Sequence, residues 1–379
     1  MRYLKYIVTL FIPIILGISL TSCQEDDLVN NGKPVIYYIR VTDPAEADVA
    51  LDSAYMGNLI AIVGDNLGDV REIWFNDQSA ILNPAFISDQ SILVTTPNTP
   101  PAEVTDELTL KFGNGGELTH SFSISISAPR VDVLKNEYAP VGTPLTIKGD
   151  FFFDPLVVTF EGGVEAEVVS LAQSELTVIV PEGAAPGAVT VETNFGTATS
   201  SQMYYDTRNV FADFEDEPSG WWHGHLFIVD QDPDVDPISG RFIRVNQEYA
   251  GWFEMLVAPA NSSLATGNIP ADAIQNPQKY NLKFELNTVT PWADQTVLKF
   301  FIGNEIEPDR HSQNYAWASG AIDTKGKWET MSIPFEYIMA NSAANPNTNE
   351  GKYAVSFFFN EGVSQTLNFA VDNFRVTPK

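Results

Sequence analysis

One pattern is written twice in the first half of this chain, and it restricts the fold more than any other feature. Gly57-Asn58-Leu59-Ile60-Ala61-Ile62-Val63-Gly64 and Gly142-Thr143-Pro144-Leu145-Thr146-Ile147-Lys148-Gly149 each place two glycines seven residues apart around an alternating run. Eleven residues past the second glycine, each copy reaches an aromatic strand end, Phe75 and Phe160. Each then runs to a strand stopped by proline, Ile92-Leu93-Val94-Thr95-Thr96-Pro97 and Leu176-Thr177-Val178-Ile179-Val180-Pro181. A turn segment follows in both, Asn114-Gly115 and Asn194-Phe195-Gly196. Four matched landmarks imply a duplicated unit. Period-2 strands that bury one face, with glycine at the corners, predict a seven-strand sandwich for each copy.

This arrangement resembles the immunoglobulin-like IPT/TIG family over residues 34–128 and 129–206. The second copy carries the pattern more fully, through Gly149-Asp150-Phe151-Phe152, Val158-Thr159-Phe160 and the strand ending at Pro181. The first departs in a longer segment between Pro97 and Leu108. The resemblance implies spacer or interaction modules. Neither copy holds a chemical constellation: His120 is the sole histidine of both and sits in an alternating strand, and Trp74, between Ile73 and Phe75, reads as packing. Pro34 and Pro129 open the copies and are expected to stiffen the joins.

The amino terminus reads as an export signal. Arg2 and Lys5 precede an apolar run, Ile7 to Leu20, interrupted by Pro13 and shorter than the roughly 20 residues a spanning helix requires. Leu20-Thr21-Ser22-Cys23 resembles the bacterial lipobox, which implies cleavage after residue 22 and lipidation of Cys23. Cys23 is the only cysteine, so no disulfide competes for it. Gln24-Glu25-Asp26-Asp27 opens an acidic tether, residues 23–33, and resembles the surface-export signal of outer-membrane lipoproteins in Gram-negative glycan degraders.

With 21 basic against 49 acidic residues, a net charge of −28 excludes the phosphate-neutralising surface that nucleic-acid binding needs. The same charge disfavours polyanionic glycans and leaves neutral or cationic partners. Strand patterns bounded by Gly, Pro, Asn and Asp recur throughout, so the chain reads as all-β.

From about residue 207 the composition shifts: six of the seven tryptophans, Trp221, Trp222, Trp252, Trp292, Trp317 and Trp328, lie in residues 207–379. The block exceeds one repeat and is expected to form a larger jelly-roll-type β-sandwich. Ser239-Gly240-Arg241-Phe242-Ile243-Arg244-Val245, Gly326-Lys327-Trp328-Glu329-Thr330-Met331-Ser332-Ile333-Pro334 and Val371-Asp372-Asn373-Phe374-Arg375-Val376 resemble segments of carbohydrate-binding modules. In that order, behind a lipoprotein tether and tandem IPT/TIG-like repeats, they resemble the surface glycan-binding proteins of polysaccharide-utilisation systems. That resemblance implies a non-catalytic protein that captures a neutral polysaccharide or oligosaccharide. It would do so on the outer membrane, beside a TonB-dependent glycan importer and its glycan-binding lipoprotein lid.

Sugar rings stack their C–H faces on exposed aromatic planes, which points to aromatics on loops. Trp292 follows Pro291 in a polar loop, and Tyr315 and Trp317, two apart, would share one face of an extended strand. Trp221 and Trp222 are adjacent, so at most one of them is expected to meet ligand. Trp252 and Trp328 fall inside strand patterns and read as core. Glu215, Asp216 and Asp372 resemble the ligands of a structural calcium in jelly-roll modules. His223-Gly224-His225 lacks a third metal ligand, and Asp230, Asp232, Asp234 and Asp236 imitate a calcium loop broken by Val235 and Arg241. A glycoside hydrolase needs a spaced carboxylate pair, but 49 acids supply one by number alone; no nucleophile elbow, zinc motif or phosphate loop appears. A surface adhesin or spacer that binds a protein partner is the alternative that the same sandwiches would serve.

Overall fold

Alternation in the sequence becomes alternation in burial. The computed structural model describes residues 32–46, 49–347, 351–361 and 363–379; the signal segment, Cys23 and the tether up to residue 31 lie outside them. In the strand Glu107–Phe112, Leu108, Leu110 and Phe112 are buried while the residues between them are not. The chain divides into two compact units between Ser125 and Ile126.

The first unit holds the first copy. Val35–Val41, Leu59–Asp65 and Ser91–Thr95 form one sheet, and Gln78–Ser79, Val70–Phe75, Glu107–Phe112 and Glu117–Ser121 form another. Ile39, Ile60, Ile62, Ile73, Phe75, Ile92, Leu108 and Phe122 fill the core of this unit. The longer segment that sets this copy apart is tied down by two side chains. Asn76 Oδ1 accepts from the backbone N–H groups of Thr105 and Asp106, and Asp77 Oδ2 accepts from that of Ala102.

The second unit begins with the second copy, and the duplication is visible at the level of single backbone atoms. Val131 faces Gly149 across an antiparallel pair, as Ile36 faces Gly64 in the first copy, and the register slips directly after each. A Cβ on Gly64 would lie 1.9 Å from the Val35 carbonyl oxygen, and one on Gly149 1.7 Å from that of Arg130. The bulged first strand therefore crosses so closely that only glycine fits beneath it. The copies differ in connectivity. Val164–Ala172 pairs with both Leu156–Glu161 and Glu175–Ile179, so all seven strands of the second copy form one continuous hydrogen-bonded path. Its core is Leu134, Leu145, Ile147, Val158, Phe160, Leu176, Val178, Val191 and Tyr204.

The remainder is a β-sandwich of two antiparallel sheets. The back sheet runs Ile228–Val229, Phe242–Tyr249, Gln365–Pro378, Tyr280–Thr288, Glu329–Pro334, with Val210–Ala212 along the end of Gln365–Pro378. The front sheet runs Phe253–Ala258, Ala354–Glu361, Val297–Gly303, Tyr315–Ala318. An aromatic core lies between them, with Phe284 stacked on Phe374 at 4.9 Å and Phe357 at 5.0 Å from Phe374. Each such ring contributes about 1.5–3 kcal/mol by burial.

Within the second unit, the Ig-like copy and this sandwich share a buried ionic cluster. The Glu137 carboxylate accepts from Lys283 Nζ at 2.5 Å and from Arg375 Nη2 at 2.7 Å, and Arg375 also reaches Glu285 at 2.8 Å. Two acids and two bases balance, which is what makes the burial of four charges tolerable. Arg375 lies over the Tyr138 ring at 4.8 Å, Thr330 bonds Glu285 and the Glu137 backbone, and Lys135 pairs with Glu329 at 2.7 Å. Burial raises the Glu285 carboxyl above its ordinary range despite Arg375 beside it.

Candidate functional site

The front sheet has one face on the core and one face outward. Inward go Phe253, Met255, Leu298, Phe300, Phe357 and Phe359. Trp252, Glu254 and Phe358 alternate with these and therefore face out. The strand Phe253–Ala258 bulges between Glu254 and Leu256, which turns Val257 outward to a small apolar cluster with Ala260, Phe301, Ile306 and Ala354. The segment Trp222–His223 adds to this edge: both backbone N–H groups donate to the Val257 carbonyl, at 2.8 and 3.2 Å.

Two tryptophans stand exposed on this face, Trp252 at 47% and Trp222 at 50%. Trp252 forms a ledge, its ring 5.3 Å from Phe358 and tilted 39° to it. Trp222 stands at a cleft of about 740 Å³ whose walls include Asn261, Asn304, Glu307 and Lys352 and whose floor includes Ile306 and Ala354. Trp252 lies five positions before Val257, where Trp222 docks, so the aromatics are spread over about 15 Å. That spacing suits an extended chain of several rings better than a single small molecule. Acids and bases alternate across the same face. His223 Nε2 meets Glu254 Oε2 at 2.8 Å, and Arg310 joins the other oxygen of Glu254. Arg310 Nε also meets Glu307 at 2.7 Å, and His311 closes on Glu307 at 3.2 Å. The Ser356 hydroxyl, buried on this side of the sheet, has no hydrogen-bond partner among the described residues.

Of the aromatics expected from the sequence to meet ligand, Trp222 alone lies here exposed among the described residues. Trp292 is 1% exposed, wedged edge-on against Phe369 at 5.2 Å and Phe359 at 5.6 Å. Its backbone N–H pairs with Ile322 O, and the indole turns into the core rather than out of the loop. Trp292 is therefore corrected from platform to packing. Tyr315 and Trp317 do share a face, but it is the inward one: Trp317 contacts Phe284 and Phe300, and Tyr315 contacts Tyr337 at 5.7 Å. Half-burial raises the Tyr315 hydroxyl above its usual range. Trp221 points opposite to Trp222, against Phe214, with its indole N–H donating to Ser263. Trp252, read as core from its strand pattern, is the ledge itself.

Of Glu215, Asp216 and Asp372, expected from the sequence as calcium ligands, two are already engaged by neighbouring groups. Glu215 accepts the Arg241 backbone N–H at 2.7 Å, and Asp216 is exposed. Asp372 is buried, bonded to the Ser239 hydroxyl at 2.8 Å and to Asn373. Among the described residues no three acidic or histidine side chains converge on one point. Burial pushes the Asp372 carboxyl well above the carboxylate range, against the hydrogen bonds it accepts from Ser239 and Asn373. The acidic loop is anchored rather than free: Asp232 meets Arg244 at 3.1 Å.

Exposed aromatics and paired polar groups on the outer face of a β-sandwich form the kind of surface on which sugar rings can stack. Residues 204–378 match the family described as the surface glycan-binding protein B xyloglucan binding domain. The match covers the C-terminal sandwich, which is similar to that family over those residues. An IPT/TIG domain-containing protein of Bacteroides ovatus is 22% identical, with 96% of both chains covered. The crystal structure of surface glycan-binding protein PbSGBP-B from Prevotella bryantii superposes with a TM-score of 0.64 at 23% identity, covering 92% of this chain and 99% of that one. SGBP-B from a complex xyloglucan utilisation locus in Bacteroides uniformis gives 0.50 at 18%, over 92% and 100%. Both likenesses concern the fold.

Proposed function

We propose that the outer face of the front sheet binds a neutral β-glucan chain of the xyloglucan class at the cell surface, without cleaving it. The observation that carries this reading is the exposure of Trp252 and Trp222 on one face, at a spacing that suits a polymer. The domain family is named for xyloglucan, and the Bacteroides uniformis relative comes from a xyloglucan utilisation locus. Trp252 and Trp222 offer planes to the C–H faces of the sugars, and Asn261, Asn304 and Lys352 offer amide and ammonium groups to their hydroxyls. Glu254 and Glu307 are both engaged by Arg310, so each serves as half of an ion pair, which supports binding without catalysis. Lipidation of Cys23 would hold the protein to the outer membrane, with the captured chain passed to a TonB-dependent importer and its lipoprotein lid.

Affinity electrophoresis of residues 24–379 through gels containing xyloglucan, mixed-linkage β-glucan, xylan or mannan tests the reading. Retardation by xyloglucan with no release of reducing ends is expected. Free migration in every gel, or a shortened polymer, would contradict it.

A further inference from the structure

The ledge needs an explanation of its own, because little fixes Trp252. It follows Gly251, which has a positive φ of 121°, and stands 47% exposed. Among the described residues no hydrogen bond holds its indole N–H. Phe358, the Arg310 guanidinium and His311 lie beside its ring, at 5.3, 5.5 and 6.2 Å from its centroid. Arg310 also lies 5.7 Å from the Phe358 ring, so one cation serves both aromatics. The guanidinium is itself clamped, by Glu254 at Nη1 and by Glu307 at Nε, and its side chain is only 11% exposed. Its backbone is secured by the N–H bond to Ile306 O at 2.9 Å and by Asn314 Nδ2 on its carbonyl at 2.6 Å.

We propose that Arg310 is the positioning residue of this face: held between Glu254 and Glu307, it sets the plane of Trp252 on which a sugar ring stacks. A planar, delocalised cation against an indole face provides an orienting force that a neutral neighbour lacks. The clamp also joins the two parts of the face. Glu254 holds His223, next to Trp222, while Glu307 lines the cleft, so the ledge and the cleft share one chain of polar contacts. This assignment rests on the glycan-binding reading of the face, but its first test does not use glycan.

The indole N–H cross-peak of Trp252, identified by its loss in Trp252→Phe, reports the ring in ¹H–¹⁵N spectra of the full mature chain. In Arg310→Met it is expected to shift and broaden, and in Arg310→Lys to return part of the way. Should Arg310→Met fold poorly, Glu307→Gln removes one side of the clamp and is expected to move the same peak less. Titration with a xylogluco-oligosaccharide should show a roughly tenfold loss for Arg310→Met in the wild-type background. In the Trp252→Ala background the same change should cost less than about twofold, because residues acting as a unit are not additive. An unmoved cross-peak, or an equal loss in both backgrounds, would overturn the assignment. A moved cross-peak with unchanged glycan affinity would keep the positioning role and overturn the binding reading instead.

Discussion

Trp252 and Trp292 exchange the roles their surroundings in the sequence suggest, and the reason is local. Phe253 and Met255 face the core, so the residues that alternate with them, Trp252 and Glu254, face out; a carboxylate two positions from a tryptophan was the legible sign. Trp292 sits among polar residues, yet its backbone pairs with Ile322 and its ring is buried by Phe359 and Phe369, which lie some seventy residues further along the chain. No local pattern records that contact. Trp292→Ala should therefore destabilise the domain by about 3–5 kcal/mol in chemical denaturation, with little change in the glycan affinity of folded protein. Weakened binding at unchanged stability would return Trp292 to the site. Asp372 supports a second prediction. Its carboxyl is raised in the folded state by burial, so the folded protein holds that proton more tightly than the unfolded chain. Its contribution is complete below the ordinary carboxylate range and is lost as pH rises toward the raised folded value. Asp372→Asn should flatten that decline in melting temperature, and an unchanged slope would assign it to other groups, Glu285 among them.

At the scale of elements, the duplication was legible because its landmarks are backbone requirements. Gly64 and Gly149 recur because a bulged strand crosses each within the reach of a Cβ. Gly149→Ala forces the two strands apart and should lower the urea midpoint of the second unit by the equivalent of about 1–3 kcal/mol; a wild-type midpoint would mean that the strand gives way freely. The continuous seven-strand path of the second copy was not legible. It depends on Val164–Ala172 changing partner between Ala166, which pairs with Val158, and Glu167, which pairs with Ile179, and alternation alone names a strand without naming its neighbours. Tyr315 and Trp317 show the same limit: period 2 put them on one face correctly, but which face is core depends on the sheet opposite.

At the scale of the whole molecule, the proposed glycan face lies on the last sandwich, and the Ig-like copy before it is bound to that sandwich by charge as well as chain. Glu137→Gln leaves Lys283 and Arg375 short of one carboxylate and should destabilise the second unit by about 3–5 kcal/mol. Calorimetry should then resolve separate transitions for the Ig-like copy and the sandwich where the wild type shows them joined. A single unshifted transition would mean that the cluster does not couple them. Isothermal titration of the Trp222→Ala/Trp252→Ala double variant with a xylogluco-oligosaccharide tests whether the outer face is the binding surface. Loss of measurable binding at a wild-type melting temperature is the predicted result, and wild-type affinity in that variant would contradict it.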